Sequence, residues 1–160
     1  MGKINMCSNI QIVPMEEKHI PALAQLERIC FSQPWTERGL SSELGNKLAV
    51  FCVAEQNQTV LGYAGMQCVM GECYINNIAV FPQFRGRGIG TKLVQALIDD
   101  AMRQDGIFIT LEVRQSNEQA IAMYEKLGFK KVGCRKNFYT NPTEDGLIMT
   151  NYLKEQEGDL

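Results

Sequence analysis

The chain has 160 residues, 45% of them hydrophobic, and a formal net charge of −2, which bounds it as one domain, 1–160, with room for a substantial core. No block of like charge advertises a nucleic-acid surface, no window reaches the apolar length needed to cross a bilayer, and "MGKINMCSNIQIVP" at the N-terminus lacks the continuous apolar core of a secretion signal. A cytoplasmic protein without nucleic-acid or membrane partners is expected, with any basic site local.

In chain order, "NIQIVP" predicts a first strand and Glu17 to Cys30 a helix, with Ile20, Leu23, Leu26 and Cys30 inward and Pro21 tolerable in its first turn. "PWTERGLSSEL" predicts a short helix capped by Thr36. Then come "LAVFCVAEQ", a turn at Asn57 and Gln58, "TVLGYAGMQCVM", a turn at Gly71, and "ECYINNIAVF", whose alternation and β-branched content predict an antiparallel meander. A glycine-rich loop leads into a helix beginning near Thr91 that buries Leu93, Val94, Leu97, Ile98, Ala101 and Met102 and ends at Gly106. "IFITLEV" reads as a strand, "SNEQAIAMYEKLG" as a helix, and "FKKVGCRKNFY" with "DGLIMTNYL" as a closing pair of strands. The order predicts an α+β domain, a mixed sheet with about four helices, whose ends, 1–8 and 154–160, are expected to fray.

Six cysteines, Cys7, Cys30, Cys52, Cys68, Cys73 and Cys134, show none of the close spacings of zinc or redox motifs and read as reduced, mostly buried thiols. With His19 as the lone histidine, a His-rich metal site is excluded and no metal is expected. A serine or cysteine nucleophile would depend on that one residue, for which a plain surface or boundary position is expected. Any general base is then a carboxylate.

The loop "RGRGIG" carries glycines at Gly86, Gly88 and Gly90. Thr91 stands where a dinucleotide fingerprint needs a third small residue, and Gly90-Thr91-Lys92 does not satisfy a P-loop. What remains is the physical core of both motifs: small residues let successive backbone N–H groups converge on an anion at a helix N-terminus. Arg85 and Arg87 oppose the positive end of the helix dipole, a conflict that a bound anion removes. A glycine-rich turn with solvated arginines is the alternative.

"NIAVFPQFRGRGIGTKLVQALI" resembles the acetyl-CoA loop of the GCN5-related N-acetyltransferases, whose pattern is Arg/Gln, two residues, Gly, one residue, Gly/Ala, matched at Arg85, Gly88 and Gly90. The family's fold follows the element order above, with a mostly antiparallel twisted sheet. The resemblance implies acetyl-CoA as cosubstrate, its pyrophosphate on the N–H groups of Arg85, Gly86, Arg87, Gly88, Ile89, Gly90 and Thr91. It also implies a pantetheine arm along the backbone of Ile78, Ala79 and Val80, which polarises the thioester carbonyl.

Glu112 is flanked by Leu111 and Val113 in an apolar strand, where an acid alone reads as solvated-face. Tyr124 shares a helix face with Ala120 and Leu127 and alone reads as half-buried core, while Ser116 and Gln119 have capping-box spacing that would leave Asn117 in the first turn with a free amide. Together the segment resembles the ribosomal-protein-alanine N-acetyltransferases (RimI-type), in which a Glu-Val-Arg strand, Ser-Asn and an Ala-x-x-x-Tyr-x-x-x-Gly-Phe helix recur. "CFSQPWTERGL" and "RKNFYTNPTEDGLIMT" agree with that group's turns, with Phe138-Tyr139 in place of paired tyrosines and Gly146 in place of an alanine.

An α-amine of pKa ~8 is mostly protonated at neutral pH and cannot attack a thioester until it loses a proton. In an apolar setting, which raises a carboxylate's pKa, Glu112 takes that proton directly or through water. The resemblance assigns Tyr124 as proton donor to the departing thiolate and Asn117 to coenzyme binding. It implies as acceptor the N-terminal alanine of a small-subunit ribosomal protein, number eighteen. Phe31 and Trp35 would line the peptide groove or pack as core, Tyr139 would touch substrate, and Glu72, Glu144 and Asp145 would form an acidic rim or remain scattered surface acids. A monomer or weak dimer is expected. The alternatives are acetylation of a small amine, other N-termini or lysines, and a silent acyl-CoA-binding regulator.

Overall fold

A computed structural model of the chain describes residues 9–154. Cys7 and, except for Lys154, the expected frayed ends lie outside the described residues. Seven strands, β1 (Gln11–Pro14), β2 (Ala49–Gln56), β3 (Thr59–Val69), β4 (Glu72–Val80), β5 (Phe108–Arg114), β6 (Lys130–Tyr139) and β7 (Glu144–Tyr152), form one mixed sheet in the order β1-β2-β3-β4-β5-β7-β6. Four α-helices accompany it: α1 (Ile20–Cys30), α2 (Glu37–Glu43), α3 (Ile89–Arg103) and α4 (Glu118–Lys126). By internal contacts the chain gathers into two compact units, one running to Met66 and adding Asn77–Leu97, the other comprising Gln67–Asn76 and the chain from Ile98 onward.

In the first unit, β1 pairs antiparallel with β2, Gln11 opposite Glu55. The β2–β3 turn puts Asn57 and Gln58 both at positive φ, 52° and 65°, the backbone of a two-residue hairpin whose twist matches its strands. Leu23, Ala24, Leu26, Leu40, Phe51, Val53, Tyr63, Ala79 and Phe81 form its core. Thr36 caps α2 as expected, its hydroxyl accepting the Gly39 N–H at 3.0 Å. At Gly62 a Cβ would stand 2.6 Å from the Ala79 carbonyl oxygen, so β3 and β4 approach closely only because no side chain is there.

His19 departs from expectation. It is 2% exposed, because a 3-10 turn over Glu17–His19 precedes α1 and folds the imidazole inward. Nδ1 accepts the Glu16 N–H at 2.9 Å, which leaves Nε2 to donate to Glu55 Oε2 at 3.1 Å. The ring completes a capping box, a role its sequence position did not advertise.

In the second unit, β4 pairs in parallel with β5 over Glu72–Tyr74 against Phe108–Thr110. Beyond Thr110, β5 continues its ladder with β7, Glu112 opposite Ile148 and Arg114 opposite Gly146. β6 pairs only with β7 and forms the sheet's edge, exposed along nearly its whole length. Ala101 is buried, but Met102 is 59% exposed, contrary to expectation: one further step of about 100° from Ala101 carries it off the inward stripe. Asp105 takes the left-handed conformation at φ 64° and Gly106 N–H bonds the Ala101 carbonyl at 2.8 Å, so Gly106 lies one residue beyond the usual glycine place in this cap.

Candidate active site

The glycine loop belongs to the first unit. Gly86 and Gly88 hold φ of 81° and 75°, and a Cβ at either would meet nothing within 4 Å, so both lie open. α3 begins at Ile89, two residues before the expected Thr91, and its first intrahelical bond runs from Lys92 N–H to the Gly88 carbonyl at 3.1 Å. The N–H groups of Ile89, Gly90 and Thr91 therefore precede the helix's own ladder and are available to an anion. Arg85 is held at two points, Nε donating to the Val80 carbonyl at 3.1 Å and Nη2 to Cys30 Sγ at 3.4 Å. Arg87 Nη2 bonds Gln56 Oε1 at 2.9 Å. This loop fits a pyrophosphate: open glycines, unclaimed helix donors and two guanidinium groups at the rim.

In the second unit β5 and α4 carry Glu112 and Tyr124. The expected apolar surround of Glu112 is not found: its side chain is 30% exposed and Oε1 lies 3.4 Å from Arg135 Nε on β6. The strand alternation that buries Leu111 and Val113 turns Glu112 to the other, half-open face. Tyr124 is buried and packs edge-on against Phe129 at 5.6 Å. Burial, and then the neighbouring Tyr139, hold its hydroxyl well above the usual tyrosine range. Burial, and then the Glu112 charge, push Tyr139 up to about 12. The Glu112 charge thus acts on Tyr139, and Tyr139 on Tyr124.

The matched sequence decides the family. The model of the acetyltransferase (GNAT) family matches residues 20–129. This chain belongs to the GNAT acetyltransferase family. The [ribosomal protein bS18]-alanine N-acetyltransferase of Escherichia coli is 36% identical over 140 residues, 86% of this chain and 94% of that protein. The crystal structure of the Escherichia coli ribosomal-protein-S18-alanine N-acetyltransferase superposes with a TM-score of 0.83 at 32% identity, covering 95% of this chain and 99% of that one. The Salmonella typhimurium protein yncA, solved with its cofactor acetyl-CoA, shares the fold at a TM-score of 0.78 and 21% identity over 93% of this chain and 96% of its own.

Within this GNAT chain three expectations change. Asn117 is itself the N-cap of α4, its Oδ1 accepting the Ala120 N–H at 3.2 Å, so the capping role read onto Ser116 falls one residue later and only the amide NH₂ remains for a ligand. Two of the three acids of the expected rim are committed to the chain. Glu144 accepts from Ser116 N–H and from Arg114 Nη1, and Asp145 accepts Asn137 N–H at 2.8 Å. The Ser116 hydrogen bonds hold the Glu144 carboxyl below its ordinary range. Trp35 packs against the first unit's core, its ring 6.3 Å from Phe51, whereas Phe31 is 41% exposed. Tyr139 lies under Arg114, whose Cζ stands 4.5 Å from the ring centroid.

Sequence reasoning missed a buried polar chain. Glu27, 2% exposed on α1, accepts Trp35 N–H at Oε1 (3.0 Å) and Tyr63 O–H at Oε2 (2.7 Å), and Asn77 Nδ2 donates to the Tyr63 oxygen at 3.1 Å. Asn77 Oδ1 is buried with no hydrogen-bond partner among the described residues, a state that costs roughly 1–3 kcal/mol when left unrelieved. The signal in sequence was a glutamate at an inward helical position beside Leu23 and Leu26, and an asparagine on the buried face of β4. Among the described residues no group of three or more His, Cys, Asp or Glu is placed to hold a metal, and no helix is long and apolar enough to cross a membrane.

Proposed function

We propose that this enzyme transfers the acetyl group of acetyl-CoA to the N-terminal α-amine of ribosomal protein bS18, an alanine, by direct attack without a covalent enzyme intermediate. The half-open Glu112 carboxylate beside Arg135 and the open glycine loop ahead of α3 carry the chemistry, and the activity of the 36% identical Escherichia coli relative supports the acceptor.

Acetyl-CoA supplies an activated thioester. The open glycines, the N–H groups of Ile89, Gly90 and Thr91, and Arg85 and Arg87 bind the pyrophosphate, and the backbone of Ile78, Ala79 and Val80 binds the pantetheine arm. The Val80 carbonyl already accepts from Arg85, so one residue serves both ends of that task. Asn117 offers its NH₂ while its oxygen holds the helix. Glu112, half open to solvent, removes a proton from the acceptor ammonium directly or through water. Tyr124 stays a phenol across the physiological range and delivers its proton to the leaving thiolate. Phe31 and Tyr139 contact the acceptor peptide, and Trp35 backs the groove from the core. One chain supplies every group named, so a monomer or weak dimer in the cytoplasm suffices, with no metal.

Release of coenzyme A in the presence of an alanine-led bS18 peptide, a lysine-bearing peptide and a polyamine tests the reading. Turnover preferring the alanine-led peptide is expected. Preference for another amine moves the acceptor class, and acetyl-CoA binding without turnover on any of them leaves only a regulator.

A further inference from the structure

The chain from Glu27 to Asn77 has a direction that its chemistry fixes. Both Glu27 carboxylate oxygens act as acceptors, toward Trp35 N–H and Tyr63 O–H. Tyr63 has a single hydroxyl hydrogen, already given to Glu27, so its oxygen can only accept from the next member. Asn77 must therefore turn its NH₂ toward Tyr63, as the 3.1 Å contact from Nδ2 shows. Its Oδ1 is left as the free terminus, buried and without a donor among the described residues, on a side chain only 4% exposed.

Each bond in such a chain polarises the next, so the carboxylate's negative charge strengthens Asn77 Oδ1 as an acceptor. An acceptor so prepared calls for an N–H. Along β4 the buried positions alternate, and Asn77 shares its strand face with Ala79, which belongs with Tyr63 to the core against which Trp35 packs. In sequence Asn77 immediately precedes Ile78–Val80, the segment assigned to the pantetheine.

We propose that Asn77 Oδ1 accepts an N–H of the amine that receives the acetyl group, Glu27 acting through Tyr63 as the positioning residue that fixes Asn77 as acceptor. The inference rests on the acetyltransferase reading above. Because the oxygen is closed to bulk water, the bond it makes is worth more than one at the surface.

The test is steady-state kinetics of Asn77→Leu, Tyr63→Phe and Glu27→Gln in the full chain, with thermal melts of each. Asn77→Leu keeps the shape and removes the acceptor, so KM for the amine should rise about tenfold while KM for acetyl-CoA stays within about twofold. Tyr63→Phe cuts the chain and should move the same constant in the same direction by less. Glu27→Gln keeps an oxygen for Trp35 N–H but donates to Tyr63, which reverses every bond and turns the Asn77 NH₂ outward. Its amine KM should rise as in Asn77→Leu.

An unchanged amine KM in folded Asn77→Leu overturns the proposal, and so does a rise confined to the acetyl-CoA KM, which would give the N–H to the pantetheine. A merely structural role would lower the melting temperature and kcat without separating the two KM values, and that too overturns it. If Asn77→Leu does not fold, Tyr63→Phe and Glu27→Gln decide. If the native enzyme ignores the alanine-led peptide but acetylates a polyamine, the acceptor reading fails and the same KM comparison is made with the polyamine.

Discussion

Arg135 Nε on the edge strand lies 3.4 Å from Glu112 Oε1 on β5, while 30% of the Glu112 side chain remains exposed. The carboxylate is aimed by one partner and open to another. A base sealed in apolar surroundings would face no cation at all; in the base role proposed for Glu112, the Arg135 guanidinium is what an incoming ammonium would join or displace.

Glu112→Gln should therefore lower the transfer rate about 10²–10⁴-fold with the acetyl-CoA KM unchanged. Exposed ion pairs contribute only about 0–1 kcal/mol, so the melting temperature should barely move. Retention of most of the rate at neutral pH would remove Glu112 from the base role.

Tyr124 predicts a pH profile. Burial, then Tyr139, raises its pKa, so the protonated donor persists as pH rises through the ordinary tyrosine value of 10.0. The rate should show no loss near pH 10 from this group, and Tyr124→Phe should lower kcat by a similar factor at every pH from about 6 to 9. Stability follows the same sign: Tyr139 titrates at about 12 in the fold against 10.0 unperturbed, so its contribution is whole below pH 10.0 and is lost as pH climbs toward about 12. Alkaline melts of Tyr139→Phe should lose less stability across that window than the native chain.

Asn117 caps α4 and, in the proposed function, also binds coenzyme, and substitution separates the two. Asn117→Ala removes the cap of α4 and should cost about 1 kcal/mol, whereas Asn117→Asp keeps the accepting oxygen and should melt near the native temperature. Coenzyme affinity, read by calorimetry, should fall in both variants because both lack the NH₂. Native affinity in Asn117→Asp would confine the residue to capping.

Replacing Arg85 and Arg87 together with alanine should weaken acetyl-CoA binding, and the loss should shrink as salt is raised, since screening already weakens the native contacts. Arg85→Ala alone should also relax its anchors at the Val80 carbonyl and Cys30, so its effect should exceed that of Arg87→Ala. Affinities independent of salt in the double variant would leave the arginines without a phosphate.

Gly62→Ala drives a Cβ to within 2.6 Å of a backbone oxygen that cannot swing aside, the Ala79 carbonyl. A destabilisation of about 1–3 kcal/mol is expected, with weaker coenzyme binding because Ala79 lies within Ile78–Val80. Gly45→Ala, where a Cβ meets nothing within 4 Å, serves as the control and should melt like the native protein. Equal melts for both would mean the strands part without cost.

Local patterns made much of the molecule legible. Turns at Asn57-Gln58 and at Gly71, the Thr36 cap and, Met102 apart, the apolar stripe of α3 each follow from a few adjacent residues and are found as read. What escaped depended on partners distant in the chain. The buried His19 meets its partner Glu55 36 residues away, and Glu112 is paired rather than apolar because Arg135 reaches it from β6. The Glu27, Tyr63 and Asn77 chain draws its members from a helix and two strands, and no spacing rule links them.

β6 ends the sheet with one row of backbone N–H and C=O groups that no further strand among the described residues covers. Such a border invites a second molecule to add its own strand, the first step toward aggregation. Lys130, Lys131, Arg135 and Lys136 set like charges along it, and register breaks between Lys131 and Gly133 and between Arg135 and Tyr139 spoil the flat template that stacking requires. The arginine that steadies Glu112 thus also guards solubility, and replacing it with an apolar residue sacrifices two protections in one step.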